Sequence, residues 1–480
     1  MASRRRSLLA WVCLLFVLLL LALGGAPAEA RPGPGSSAPR RLVPRRMLST
    51  NAPEGVSATS GDGTMASKKI ATHRKQAAAP PKAAPASGSD FNVESYGAAG
   101  DGRTDDTKAF LNAWAKACSS PQPAVLLVPA GKKYLVREIP LSGPCKSQVT
   151  FQIDGTLVAP EDKSNWKKNG YPHWVSFTKV DSLTVTGRGT LDGTGKSSWK
   201  NSCRTNKKNP CTFAPAALTF TSCNHLKVQN IRLVNSPQVH LLMQYCKDVT
   251  LSSLTIQSPG SSPESDGIHV SHSEDIRIIK PVIKAGDDCI SIASGTKNLY
   301  AYKVECGPGH GISIGSLGKD NSDAQVSNIT IDTAHVTGTL YGARIKTWQG
   351  GSGYAKDIKF LNMVMDNVKH PIFIDQYYCN QFDPNKPKPC AEQKSAVQIS
   401  NVLFKNIKGT GTTKDVISLH CSKAFPCHDV VLEDIDLKMK KKAGISSCEN
   451  VMFTKTSNVS PAPCTLVAAK HDQVPEDSSD

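Results

Sequence analysis

Leu226-Lys-Val228, Val249-Thr-Leu251, Ile276-Arg-Ile278 and Leu299-Tyr-Ala301 are four short runs of one kind, starting 23, 27 and 23 residues apart. Each alternates with period two, which is the signature of a strand with one buried face. Similar runs start at Leu183, Val326, Ile358, Val397 and Val430. Asn-Ile and Asn-Val pairs follow them, as at Asn230-Ile231, Asn367-Val368 and Asn406-Ile407. Apolar periodicity of helical length is almost absent. Coils of about 20–30 residues, each with several short strands, predict a parallel β-helix. An antiparallel sandwich also uses alternating strands, but steady intervals of this length favour the solenoid. Size agrees. Residues 91–480 are too many for one globular core, and no linker divides them. A solenoid grows along one axis and escapes that limit.

The flanking segments read differently. Arg4, Arg5 and Arg6, an apolar stretch from Leu8 to Leu23 and Ala28-Glu29-Ala30 form the pattern of a secretory signal peptide over 1–30. Residues 31–90 are rich in Pro, Ala, Ser, Gly, Lys and Arg, without apolar period. They read as a basic, disordered linker or propeptide. Of the net charge of +17, +9 lies in residues 1–90. The remaining +8 does not indicate nucleic-acid binding. It suits a secreted domain that attracts an anionic polymer such as an acidic polysaccharide. The expected domain is a monomer, free of the membrane once the leader is removed. A short N-terminal capping helix is predicted over Lys108 to Ala117, with Thr104 or Asp105 as its cap. Asp101, Asp105 and Asp106 do not match a calcium-loop pattern.

Of the 15 cysteines, Cys13 lies in the leader. An even set in a secreted chain predicts disulfides. The close pairs Cys289/Cys306, Cys379/Cys390, Cys421/Cys427 and Cys448/Cys464 have the spacing of local staples, although spacing alone does not define connectivity. No C-x-x-C pair points to zinc. Asn328-Ile-Thr330 and Asn458-Val-Ser460 are glycosylation sequons, predicted to lie on the surface.

The chemistry sits in four motifs: Ser262-Pro-Glu-Ser-Asp-Gly-Ile-His269, Gly286-Asp-Asp-Cys-Ile-Ser291, Cys306-Gly-Pro-Gly-His-Gly-Ile-Ser-Ile-Gly315 and Arg344-Ile-Lys346. Asp266, Asp287 and His310 follow one another at 21 and 23 residues, close to one coil each. Stacked coils lie about 4.8 Å apart, so these positions converge on one face. A bend at Gly286 would turn both Asp287 and Asp288 to a groove. Arg344 and Lys346 alternate on one strand and point the same way. Glycosidic hydrolysis needs one protonated carboxyl for the leaving oxygen and one ionised carboxyl for water. Crowding separates their pKa values. His310 would tune or hold the acid, and the two cations would bind a substrate carboxylate. The glycine-rich run at 307–311 lacks the ending of a phosphate loop. Ser291 and Ser294 lack the context of a serine nucleophile.

These motifs, with Arg344-Ile-Lys-Thr-Trp-Gln-Gly350, Asn235-Ser-Pro-Gln238 and Pro371-Ile-Phe-Ile374, resemble the plant polygalacturonases of glycoside hydrolase family 28 over about 91–465. The resemblance implies a right-handed parallel β-helix that hydrolyses α-1,4-galacturonic linkages of pectin with inversion, in the cell wall, without metal or cofactor. It implies Asp287 as general acid, Asp266 and Asp288 as the carboxylates that hold and activate water, and His310 as support for the acid. Arg344, Lys346 and Tyr378 would contact the galacturonate. It also implies disulfides Cys289–Cys306, Cys421–Cys427 and Cys448–Cys464. One departure stands out: Glu264 and Ser265 replace the family's Asn and Thr before Asp266. A fourth carboxylate would raise its neighbours' pKa values or repel an anionic substrate. Two other readings follow, a pectin-binding wall protein with little catalysis and a calcium-dependent pectate lyase. The Asp-Asp/His set and the lack of a clear calcium cluster argue against the lyase.

Overall fold

The computed structural model describes residues 89–464, except 163–165, 167–172, 210, 212–213, 380–390 and 441. The expected leader, nearly all of the expected linker and the chain beyond 464 lie outside the described residues. The first described element is a strand at Ser89–Asn92.

Described strands form parallel stacks, one sheet of 11 strands and another of 21. The second covers two faces, because long strands turn the corner between them. Both Glu274–Ile279 and Val282–Lys284 pair with the single strand Lys297–Cys306. Stacked parallel strands of this kind make a parallel β-helix, as predicted. The exceptions among described pairs are a short antiparallel contact between Lys438–Met439 and Lys442–Ala443 and an isolated antiparallel bridge between Gln349 and Ala396.

The groove face belongs to the 11-stranded sheet. Its central strands are β1 (Ile268–Ser271), β2 (Asp288–Ile292), β3 (Gly311–Leu317), β4 (Tyr341–Trp348), β5 (His370–Tyr378) and β6 (Asp415–His420). Ile268, Ile290, Ile312, Ala343, Ile372 and Ile417 stand in register on the inward side, all fully buried. Burying one such isoleucine stabilises the fold by roughly 1.5–3 kcal/mol relative to exposure. Aromatic stacks fill the same interior, as where Phe360 and Phe404 lie 5.3 Å apart and nearly parallel.

The corners explain the recurring asparagines. Asn230, Asn367 and Asn406 have φ values of 63, 54 and 52°, in the left-handed region that asparagine tolerates better than most side chains. Corner amides also bond from coil to coil. Asn328 donates to Asn298 and Asn406 to Asn362, at 2.9 and 2.8 Å.

Register corrects two predicted repeat starts. Leu226, Val249, Ile276 and Leu299 do stack directly. The next in line are Ile329, Ile358 and Val402, so Val326 and Val397 are not the equivalent positions. Alternation alone cannot locate register where a strand extends past its corner.

The N-terminal helix, α1 (Thr107–Ser119), buries Ala109, Phe110, Ala113, Trp114 and Ala117 against the first strands. Its N-cap is Asp106, and neither Thr104 nor Asp105 takes that position. Asp106 instead accepts the backbone N–H groups of Ala99 and Gly100. Asp101 accepts those of Arg103 and Thr104, and Asp105 pairs with Arg137 at 2.8 Å. A second short helix, α2 (Lys196–Lys200), had no clear apolar period to announce it.

Disulfides Cys289–Cys306, Cys421–Cys427 and Cys448–Cys464 are present, together with Cys118–Cys145 and Cys203–Cys211. Cys390 lies outside the described residues. The even count does not pair every cysteine: Cys223 and Cys246 stay as buried thiols on adjacent coils, with the Cys223 N–H 3.4 Å from Cys246 Sγ. Asn328 and Asn458 are both exposed.

Candidate active site

The bend falls where expected, but it turns only Asp287 to the cleft, since Asp288 is buried beneath Lys346 and Ser313. Gly286 and Asp287 turn the chain just before β2, and a Cβ on Gly286 would stand 1.9 Å from the Ser262 carbonyl oxygen. Glycine is therefore what lets the Asp287–Asp288 turn pack against the loop that carries Asp266. Asp288 stands opposite Gly311, so His310 falls beside Asp287 on the next coil. Ser291, Ser313 and Arg344 continue one row across β2, β3 and β4. The step from His310 to Arg344 is thus one longer coil.

Asp287 Oδ1 lies 2.8 Å from His310 Nδ1 and accepts the Asp288 backbone N–H at 2.8 Å. The Asp287 side chain is 19% exposed and lines a cleft of about 480 Å³ with His310, Tyr341, Arg344, Lys346 and Tyr378. Asp288 is buried and fully engaged. Lys346 Nζ donates to its Oδ2 at 2.8 Å, Ser313 Oγ donates to its Oδ1 at 2.7 Å, and Arg344 Nη1 stands 3.6 Å away. Asp266 accepts a short bond of 2.5 Å from Ser291 Oγ. Behind it, buried His240 touches the Asp266 carbonyl oxygen at 2.9 Å and Ser258 Oγ at 2.7 Å.

Electrostatics separate the carboxyls. Burial raises the Asp266 carboxyl, and the nearby charge of Asp287 adds to that. Burial would also raise Asp287, but the bond and charge of His310, helped by Lys346, hold it down to about 2. Burial lowers His310, yet the Asp287 carboxylate outweighs it and the imidazole is raised. The free site therefore contains an ionised Asp287 with an imidazolium, beside an Asp266 that holds its proton more readily. Burial opposes the Lys346 charge, but contact with Asp288 raises its pKa. Burial takes His240 down to about 4, so it is neutral.

Asp287, Asp288 and His310 are close enough to share a metal ion. Their bonding makes them poor ligands, since His310 already pairs with Asp287 and the Lys346 ammonium occupies Asp288. A cation there would face that ammonium across a buried site.

The two predicted cations differ in role. Lys346 is committed to Asp288. Arg344 is 4% exposed, and its Nε and Nη1 have no hydrogen-bond partner among the described residues. Its guanidinium lies 3.9 Å from the Tyr341 ring centre and 5.7 Å from that of Tyr378. Tyr378 and Tyr377 both line the cleft, and Tyr378 is also 5.5 Å from Lys346 Nζ. Sequence reasoning missed Tyr341, Asp375, Ser313 and the partner of Glu264. Only Ser313 had a signal, its place within the third motif. Glu264 does not stand alone: Arg204, on the loop closed by Cys203–Cys211, pairs with it at 2.7 Å. Burial and the Asp287 charge still raise the Glu264 carboxyl, against the pull of Arg204.

Crowded carboxyls of unequal acidity, beside a buried guanidinium at the floor of a β-helical cleft, define a hydrolase of acidic polysaccharides. Residues 118–460 match the glycosyl hydrolases family 28, and the chain belongs to that family of glycoside hydrolases. It is 46% identical over 384 residues to polygalacturonase-2 of Solanum lycopersicum, covering 80% of this chain and 82% of that protein. With the polygalacturonase of Malus domestica it shares 48% over 372 residues, 77% and 78% of the two chains. A solved polygalacturonase from Erwinia carotovora has the same fold, with TM-score 0.60 and 22% identity over 79% of this chain and 98% of that one.

Proposed function

We propose that this chain is a secreted polygalacturonase of the cell wall, hydrolysing α-1,4-galacturonosyl linkages of pectin with inversion. The observation that carries the reading is Arg344, a buried guanidinium at the cleft in which Nε and Nη1 have no hydrogen bond among the described residues, Nη1 standing 3.6 Å from Asp288. An unpaired buried donor is costly, and a planar uronate carboxylate satisfies two of its N–H groups at once. Family membership and the named relatives support the same substrate class. No helix among the described residues is long and apolar enough to cross a membrane.

In this reading the sugar carboxylate binds Arg344, with the aromatic rings of Tyr341 and Tyr378 at its sides. Lys346 donates to Asp288 and places it. Of the three clustered aspartates, Asp287 is the one that lines the cleft, so it delivers the proton to the leaving oxygen. Substrate entry excludes water and brings a second negative charge, both of which raise Asp287. The proton of the Asp287–His310 pair then moves to the carboxyl. Asp266 and Asp288 hold the water on the other side, and Asp266 takes its proton. Arg204 offsets Glu264, which favours catalysis over a purely binding role.

The test follows reducing ends and viscosity together on polygalacturonate, with Asp287→Asn as control. A loss of about 10²–10⁴-fold in the control is expected for removal of a general acid. A folded wild-type protein that releases no reducing ends at any pH would overturn the reading.

A further inference from the structure

Asp266 poses a problem that the reaction itself creates. A base that takes a proton from water must lose it before the next turnover. The Asp266 side chain is only 17% exposed, and burial together with Asp287 makes it retain a proton. Two side chains outside the proposed roles connect it to the exterior. Ser291 Oγ lies 2.5 Å from Asp266 Oδ2, and His269 Nδ1 lies 2.8 Å from the same Ser291 Oγ. His269 and Ser291 are register partners on β1 and β2, so the sheet itself holds them together. The direct distance from His269 Nδ1 to Asp266 Oδ2 is 3.9 Å, too long for a hydrogen bond, so the hydroxyl is the link. The His269 side chain is 28% exposed.

We propose that Ser291 and His269 form a proton relay that resets Asp266 after each turnover; this rests on the reading of Asp266 as the group that deprotonates water. In the resting site Ser291 donates to the carboxylate, and His269 Nδ1–H donates to Ser291. After water is split His269 changes tautomer through solvent, releasing its Nδ1 proton and taking one on Nε2 with no net change, and the chain then runs the other way. The protonated Asp266 donates to Ser291 Oγ, and Ser291 donates to His269 Nδ1. Transfer along the chain breaks the Asp266 O–H bond and forms a His269 N–H bond, while Ser291 ends neutral. The imidazolium gives its Nε2 proton to solvent. One proton leaves for each one that Asp266 gained from water, and no co-reactant is needed.

The surroundings suit the direction of travel. The charged groups around Asp266 are Asp287, Asp288 and His269, with Glu264 on the same loop. On its other side, the strand Leu241–Gln244 presents Leu242 opposite His269, which is not titratable. Asp287 and His310 make a separate pair on the neighbouring coil, so the acid and the base exchange protons by different routes.

The experiment measures kcat and KM on polygalacturonate for wild type, His269→Ala, His269→Gln and Ser291→Ala, with thermal unfolding as a check of folding. Both His269 variants should lose roughly tenfold or more in kcat, with KM little changed. Free imidazole in the assay should restore much of the His269→Ala activity, since it replaces the missing acceptor in the space left. It should not restore Ser291→Ala, which lacks the hydroxyl link. An unaltered kcat in His269→Ala, a loss confined to KM, or no rescue by imidazole would overturn the relay. A wild-type enzyme inert on polygalacturonate would overturn the functional reading and the relay with it; an active wild type with indifferent His269 variants would overturn the relay alone.

Discussion

The Asp287–His310 pair makes both groups pH-sensitive in opposite senses. His310 is raised above its ordinary 6.5, so its contribution to stability is complete below that value and is lost as pH rises through the raised pKa. Asp287 is lowered from 3.8 to about 2, so its contribution is present above 3.8 and is lost as pH falls toward 2. The pair therefore stabilises most between about 4 and 6.5. Thermal unfolding of wild type against His310→Gln should show its largest difference in that window and a shrinking one on either side. A difference that is flat with pH would contradict the ion pair. Glu264 offers a second prediction. Replacing it with Asn removes a negative charge near Asp266 and Asp287. Asp266 then ionises more easily, and the acid limb of kcat/KM moves to lower pH. Because Arg204 already offsets the charge, the shift should stay below about one unit. The pH–rate profile reads it directly.

Among the structural elements, the turn before β2 is the most constrained. Gly286→Ala would force a Cβ against the Ser262 carbonyl oxygen at 1.9 Å, so either this turn or the Asp266 loop must move. Activity should fall at least about a hundredfold, since misplacing a reacting group by 1 Å costs that much. Thermal stability and activity measured together would show whether the damage is local. The disulfide Cys289–Cys306 closes a segment of 17 residues that runs from β2 toward the loop carrying His310. Replacing both cysteines with Ala should cost about 3 kcal/mol in urea unfolding, from loop entropy alone. The inward row is equally predictable. Phe404→Ala, which empties a fully buried position stacked on Phe360, should cost roughly 3–5 kcal/mol.

Across the whole protein, the solenoid sets chemistry-bearing residues one coil apart along an open groove. Lys346, Asp375 and His420 form one row, and Arg344, Phe373 and Ser418 the next. In the proposed function the net +8 of residues 91–480 and the buried guanidinium would act on the same anionic polymer. Raising salt from 50 to 500 mM should therefore raise KM severalfold, because exposed long-range attraction is screened while kcat depends on buried pairs. Equal changes in kcat and KM would contradict that division.

The repeat was legible because strand alternation and corner asparagines are local properties. Leu226, Val249, Ile276 and Leu299 could be aligned by counting, and so could Asp287 with His310. Counting failed at Val326 and Val397, where the strands extend beyond the aligned positions and alternation continues without marking register. The partners of the site were not legible for a related reason. Arg204 reaches Glu264 from 60 positions earlier in the chain, and Tyr341 meets Arg344 by folding over it. Likewise Ser291 read as an ordinary strand serine until the sheet set it between Asp266 and His269. Sequence alone determined the solenoid, the three carboxylates, the histidine and the cations, because repeat spacing converts chain distance into stacking. Tertiary structure decided which carboxyl burial raises, which cation is bonded to Asp288 and which charge meets a partner. Those depend on burial and on partners a few ångströms away, and neither is encoded at any fixed separation along the chain.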